Sequence, residues 1–536
     1  MQYLTEYKEE FMRKHQWIWI LSFVLATGLI VPQVVFAAEK PLVIALKGDA
    51  ARFDPHSRAE GNTTTIQRYI FDALVKYDEN WKPVPALAER WKMLDDLTWE
   101  FKLRKGVKFH NGEPFNAAAA KFSLERCKTD SHSQYKSSVP DYKEIIAVDE
   151  YTLRFVTKKP IPEIAIMLEL VSMVPPKYFQ EWDKKDWTHL NHNPIGTGAY
   201  KFVEWVKDDH IKMVANDDWY GGKVDFKEVI IRPIPEDATR VAGLISGEID
   251  VIWGVSSRDI PRIEKNKNTY ISRTPSRYVP YIMFDVYTKE GGRAPEMQPG
   301  IPAGAPNPFR LKKVREAIAH GINVDDIIKH VMEGGAYPAS QIIPQFVHGY
   351  SPNIKRLKYD PELAKKLLAE AGFPNGFEAN FDACNDCFVN DSLIAEAIGH
   401  QLTKIGVNLK VVAQPKAVLY PSVEGYKSPM FLLEQGTFSW ERTMNAFFRK
   451  QEGDEGRNNR GRFYDPGIEN RIVEASKEMD PEKSVKLKRA VSEDIYATAY
   501  IIPLFYIENV IGLNKRVIGK ARLDDRILAF ELKRAK

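Results

Sequence analysis

Phe438, Trp440, Glu441, Arg442 and Asn445 bring two aromatic faces, one anion, one forked donor and one amide into a single short stretch. An arginine fork suits a carboxylate or a phosphate, and a tryptophan face suits a sugar or another planar group. The plainer reading of the same residues has Phe438 and Trp440 packed in a core and Arg442 paired with Glu441 at the surface. Cys384-Asn-Asp-Cys387 has the spacing of a local disulfide or of a redox pair, but no strand leads directly from it into a thioredoxin-type helix. No second cysteine pair accompanies it, so structural zinc is not expected, and the leftover Cys127 is expected as a buried thiol. The eleven histidines form no His-Glu-x-x-His cluster; His189 and His192 are close together in a polar segment. The Gly-rich run Asp454–Arg462 lacks the Lys-Ser/Thr ending of a nucleotide loop and reads as a solvated turn. No Gly-x-Ser-x-Gly elbow is present. No catalytic residue, metal or cofactor is expected.

The chain that must position these groups has 536 residues, enough for several domain-sized pieces or a few large lobes. Apolar residues make up 44% and charged residues 28%, which excludes a mostly disordered chain. Lys+Arg at 76 against Asp+Glu at 72 leaves +4, without the basic stripe of a nucleic-acid binder. Three cysteines exclude a disulfide scaffold. Arg13, Lys14 and His15 precede an apolar run from Trp17 to Val31, and Val35-Phe-Ala-Ala38 follows Pro32. This is the pattern of a secretory signal peptide cleaved after Ala37, with Met1 or Met12 as the start. The alternative is a membrane anchor, for which the run is slightly short of the ~20 residues needed. The segment holds no cysteine, so a lipid-anchored start is not expected.

Alternating apolar residues predict strands at 98–103 and 152–156, and a hairpin from 199–206 and 210–215 around Lys207-Asp-Asp209. A helix from Asp237 to Ile245, stopped by Gly247, leads into a strand at 249–253. The second half is more helical. The spacing predicts one helix over 311–331, others after Asp360-Pro361 and Asp480-Pro481, and one over 392–405. Gly291–Pro308 reads as an irregular excursion. Two extended segments, 278–287 near mid-chain and 501–513 near the end, form a two-stranded hinge if the chain leaves one lobe by the first and returns by the second.

Several motifs occur in collinear order: Phe71-Asp-Ala-Leu-Val-Lys-Tyr-Asp78, Pro83-Val-Pro-Ala-Leu-Ala-Glu89, Leu103-Arg-Lys-Gly-Val-Lys-Phe-His-Asn-Gly-Glu-Pro-Phe115, Phe122-Ser-Leu-Glu-Arg126, Pro194-Ile-Gly-Thr-Gly-Ala-Tyr200 and Ser246-Gly-Glu-Ile-Asp250. Together they resemble the periplasmic solute-binding proteins of the dipeptide, oligopeptide and nickel ABC importers, from about Pro41 to the C-terminus. The resemblance implies an α/β, two-lobed Venus-flytrap fold of the large type with an extra subdomain in its first lobe. After a signal peptide at 1–37, the first-lobe core would span 38–80, 196–280 and 510–536, the extra subdomain 81–195, and the second lobe 281–509. Gly196, Gly198 and Asp250 are expected to be structural.

In peptide-binding members a Gly-Trp loop with a nearby acidic residue lines the cleft. Here Leu433-Glu-Gln-Gly-Thr-Phe-Ser-Trp-Glu-Arg-Thr-Met-Asn445 occupies that place and departs from the pattern in either register. The resemblance therefore places Trp440, Phe438, Glu441, Arg442 and Asn445 at the ligand, with Trp253, Tyr281, Arg52 and Phe53 as further candidates. It implies a monomeric periplasmic receptor without enzymatic activity, delivering a peptide-like or other small polar solute to an inner-membrane ABC permease, with no nucleic-acid partner. A secreted hydrolase, or a chaperone or chemoreceptor adaptor on the same scaffold, is the alternative.

Overall fold

The computed structural model describes residues 39–57, 61–287, 299–453 and 455–536. The expected signal peptide, the first part of the 291–308 excursion and Asp454 lie outside them. Strand Leu42–Leu46 is apolar and buried throughout, as a strand covered on both faces must be. It pairs in parallel with Glu228–Pro233 on one side and Val251–Trp253 on the other. Helix Asp237–Ser246 makes the crossover between those two neighbours and ends where Gly247 takes a φ of 82°. Antiparallel additions complete an eight-stranded sheet: the hairpin Tyr200–Val206 and His210–Ala215 on one flank, Phe505–Asn514 and Thr269–Pro275 on the other, with Ala336–Pro338 against the start of Phe505–Asn514.

A four-stranded antiparallel sheet (Ala88–Asp95, Thr98–Leu103, Thr152–Thr157, Tyr142–Asp149) carries its own core around Phe101, Leu153 and Phe155. A five-stranded sheet runs in the order Val407–Gln414, Phe377–Cys384, Met430–Gly436, Tyr278–Phe284, Ile501–Pro503 and forms the second lobe with the C-terminal helices. Helices Pro361–Glu370 and Pro481–Tyr496 start as their Asp-Pro pairs dictate: Asp360 accepts from the Leu363 N–H at 2.9 Å and Asp480 from the Lys483 N–H at 2.8 Å. The helix expected over 311–331 is two helices, Lys312–Gly321 and Val324–His330. Asn323 caps the second by accepting from the Asp326 N–H at 3.1 Å, so a local cap interrupts the apolar period. Among the described residues no helix is long and apolar enough to cross a membrane.

Two segments pass between the lobes. Thr269–Pro275 belongs to the eight-stranded sheet and, after Ser276 and Arg277, Tyr278–Phe284 belongs to the five-stranded one. Ile501–Pro503 and Phe505–Asn514 make the return, separated by Leu504 alone. The two crossings pair with each other, Tyr281 opposite Pro503, and the Leu504 N–H donates to the Pro280 carbonyl at 3.0 Å.

Gly196 and Gly198 are bends against helix Gly61–Ile70: a Cβ would stand 2.1 Å from the Ile70 carbonyl oxygen and 2.4 Å from that of Tyr69. Asp250 is an anchor. It is fully buried, accepts from the Val43 N–H at 2.9 Å and is ion-paired with Arg516, whose guanidinium also donates to the Pro41 carbonyl at 2.6 Å. One carboxylate thus ties the first strand to the last segment. Asp250→Ala strands that guanidinium and is expected to cost about 3–5 kcal/mol in urea unfolding; a loss below about 1 kcal/mol would contradict the anchoring role.

Candidate functional site

The crossing segments leave a cavity of about 860 Å³ whose walls come from both lobes. From the first lobe come the start of helix Gly61–Ile70, Trp253 and the C-terminal stretch around Asp525; from the second, the end of strand Met430–Gly436, Phe438, Arg442 and the loop Asp386–Val389. Arg277 and Tyr278 enter from the crossing itself. This is the size of a small-molecule site.

Its charges are incompletely paired. Arg277 is almost fully buried; it donates to the Tyr278 hydroxyl at 2.8 Å, stacks 4.0 Å from the Phe438 ring centre, and its Nε has no partner. Arg442 lies on the other approach to that ring at 5.3 Å and makes no ion pair with a described residue. Burial pushes its guanidinium down to about 10, helped by the nearby Arg457 and Arg277. Two carboxylates face the same space. Burial, then repulsion from Asp525, pushes Glu434 up to about 8. Burial likewise pushes Asp525 up to about 8 against the pull of Arg277, and its Oδ2 is buried without a partner. The Trp253 indole N–H is also buried and unpartnered. Arg277, Arg442, Glu434, Asp525 and the Trp253 indole donor, beside the further lining charges Lys47, Asp386, Glu508, Asp524 and Arg526, can receive a molecule carrying both an ammonium and a carboxylate.

Gly436 makes this packing possible, since a Cβ there would stand 2.6 Å from Arg277 Nη1. The Thr437 hydroxyl donates to the Ile342 carbonyl at 2.7 Å, and its side chain does not line the cavity.

The sequence candidates divide. Phe438, Arg442 and Trp253 line the cavity. Glu441 and Asn445 line a separate chamber behind Phe438. Trp440 is fully buried in the second lobe, its indole N–H donating to Ser492 at 2.9 Å, so its face is not offered to a solute. Tyr281 is buried edge-on to Phe447, with ring centres 5.5 Å apart. Phe53 is clasped by Phe202 and Trp205, and Arg52 reaches over the Trp187 ring; neither lines the cavity. Arg277, Glu434 and Asp525 were not among the candidates. Glu434 carried a usable signal, a carboxylate closing an apolar strand. Cys384 and Cys387 are disulfide-bonded, and Cys387 stands at the cavity. Cys127 is a buried free thiol that burial pushes up to about 12.

Glu441 serves contact between the lobes. It is ion-paired with Lys488, whose side chain is 0% exposed and reaches Glu163, on the four-stranded-sheet side, at 2.9 Å. His348 Nδ1 lies 3.1 Å from the same Glu163 oxygen. Burial pushes Glu441 up, as does the neighbouring Glu163; burial alone would lower the Lys488 ammonium, but the two carboxylates hold it above its usual value. Trp81 makes a second bridge, its indole donating to the Phe438 carbonyl at 3.3 Å.

The family profile "Bacterial extracellular solute-binding proteins, family 5 Middle" matches residues 82–454. The chain belongs to this family. The glutathione-binding protein GsiB of Escherichia coli K12 is 26% identical over 526 residues, covering 96% of this chain and 97% of the relative. The periplasmic binding protein DppA from Helicobacter pylori in complex with peptide STSA superposes with a TM-score of 0.75 at 26% identity, covering 92% and 98% of the two chains. NikZ from Campylobacter jejuni in complex with Ni(L-His) gives 0.74 at 25% identity, covering 92% and 99%. The fold is accordingly the two-lobed one of extracellular solute-binding proteins, and the cavity lies between the lobes.

The Glu163–Lys488–Glu441 contact joins the four-stranded-sheet side to the second lobe. Lys488→Met leaves two carboxylates facing each other and is expected to expand the solute-free protein in small-angle scattering. An unchanged radius of gyration would contradict that role.

Proposed function

We propose that this family 5 protein is the receptor of an ABC importer, acting as a monomer outside the cytoplasmic membrane after removal of a signal peptide at 1–37, without a lipid anchor. It grips a zwitterionic, peptide-like solute, leaves it chemically unaltered and presents it to the permease. The first-lobe core at 38–80, 196–280 and 510–536, the extra subdomain at 81–195 and the second lobe at 281–509 serve as the moving parts. The observation that carries the solute class is the set of ion-unpaired groups around one cavity: Arg277 and Arg442 for a carboxylate, Glu434 and Asp525 for an ammonium. The relatives support it, since glutathione, a peptide and Ni(L-His) in their names all carry amino-acid chemistry.

Binding works by differential affinity. A solute that touches both walls of the cavity stabilises the closed arrangement over any open one, and the free-energy difference moves the equilibrium. Phe438, stacked by Arg277, supplies an apolar floor that keeps the guanidinium aimed.

Isothermal titration with glutathione and a panel of dipeptides tests the reading. At least one is expected to bind, with Glu434→Gln and Arg277→Met each weakening it tenfold or more, about 1.4 kcal/mol. Equal affinity in both variants would contradict it. An ammonium needs ionised carboxylates, so affinity is expected to rise between pH 6 and 8 as Glu434 and Asp525, both held at about 8, lose their protons. Stability of the empty protein runs the other way. A carboxyl whose folded value lies above its unfolded one favours folding less as pH climbs through that interval. Glu434→Gln is therefore expected to raise the melting temperature at pH 8 and leave it nearly unchanged at pH 4.

A further inference from the structure

The disulfide Cys384–Cys387 is a covalent link that solute capture does not require. It spans only two intervening residues. The stabilisation a cross-link gives through the unfolded chain grows with the loop it closes, so a loop this short gains little. The loop is also fixed without it. The Asn385 N–H donates to the Gln414 carbonyl at 3.1 Å, the Cys387 N–H to Asp391 Oδ2 at 2.8 Å and the Lys416 N–H to Asp386 Oδ1 at 2.6 Å. An opened pair of sulfurs therefore stays side by side, ready to reclose. The two sulfurs differ in access. Cys384 ends strand Phe377–Cys384 and is 0% exposed. Cys387 is half-buried, and with Asp386, Phe388 and Val389 it forms part of the wall of the 860 Å³ cavity. Accessible disulfides are the exchange-labile ones.

We propose that Cys387 is a thiol-exchange site: a low-molecular-weight thiol entering the cavity attacks the Cys387 sulfur and is held there as a mixed disulfide. The thiolate form attacks. Its sulfur bonds to Cys387 Sγ, the Cys384–Cys387 bond breaks, and Cys384 leaves with the electron pair and takes up a proton from water. One S–S bond replaces another, so no outside oxidant or reductant is needed. The step reverses when Cys384 Sγ attacks Cys387 Sγ and expels the thiol. Burial sets which sulfur is attacked, because Cys387 lines the cavity and Cys384 has no exposed surface. Cys127 takes no part, since it is packed in the separate core of the four-stranded sheet. The cavity has room for a thiol of amino-acid or small-peptide size. The exchange needs the cavity and its disulfide and stands whatever the solute is.

The test treats the folded, oxidised protein with L-cysteine, quenches with acid and maps the adduct by peptide mass spectrometry. Cysteinylation is expected on Cys387, with Cys384 recovered as a free thiol and Cys127 unmodified. Adduct on Cys384, or none on Cys387 until urea is added, would overturn the proposal. Two variants, checked for folding by their melting temperatures, give the rates. With L-cystine, Cys384→Ser is expected to gain an adduct on Cys387 at least tenfold faster than Cys387→Ser gains one on Cys384. Equal rates would overturn the difference in access on which the proposal stands. A thiol carried on a long polyethylene glycol, too bulky for the cavity, is expected to react with wild type at least tenfold more slowly than L-cysteine. If it reacts as fast, the sulfur is met from open surface and the cavity route is overturned. The wild-type mapping decides even where a variant fails to fold.

Discussion

Among the charged groups that line one cavity, two guanidinium groups and two carboxylates stand without an ion-pair partner among the described residues. Arg277, Arg442, Glu434 and Asp525 come from four places in the chain, and each is held by packing that the others do not supply. Arg277 sits where the chain steps from one sheet to the other, pressed between Phe438 and Tyr278. Glu434 closes a buried strand. Asp525 takes a φ of 61°, in a segment where Asp524 and Arg522 satisfy each other. A carboxylate buried without a partner is costly, and burial raises Glu434 and Asp525 accordingly. A solute carrying both signs, as proposed, would relieve it.

The two crossings translate that relief into shape. Each passes between sheets within one or two residues, and Pro280 and Pro503 stand in the paired strands themselves. The chain changes sheet at Ser276–Arg277 and at Leu504, next to the residue proposed to meet the solute. Away from the crossings, Lys488 between Glu163 and Glu441 and Trp81 against Phe438 hold the lobes together.

Local rules were the legible ones. Asp360-Pro361 and Asp480-Pro481 start helices because an Asx cap followed by proline needs only neighbouring residues. Gly247 stops its helix for the same kind of reason, and the collinear motifs carried the lobed architecture. Partners set by distant chain were not legible. Trp440 presented itself as a stacking face, but Ser492, fifty-two positions away, takes its N–H in a closed core. The sequence places Glu441 and Arg442 together at the ligand, yet consecutive residues on a helix point in different directions. One turned to Lys488 and the other to the cavity. Arg277 and Asp525 gave no local sign, because each becomes a recognition group only when segments at 277, 434 and 525 converge.

The most direct test is a crystal structure of protein purified without denaturation, with its native solute retained and identified by native mass spectrometry. The account predicts an unmodified solute between the lobes, its ammonium at Glu434 and Asp525 and a carboxylate at Arg277. A solute without an ammonium, or one bound outside the cavity that these residues surround, would contradict it.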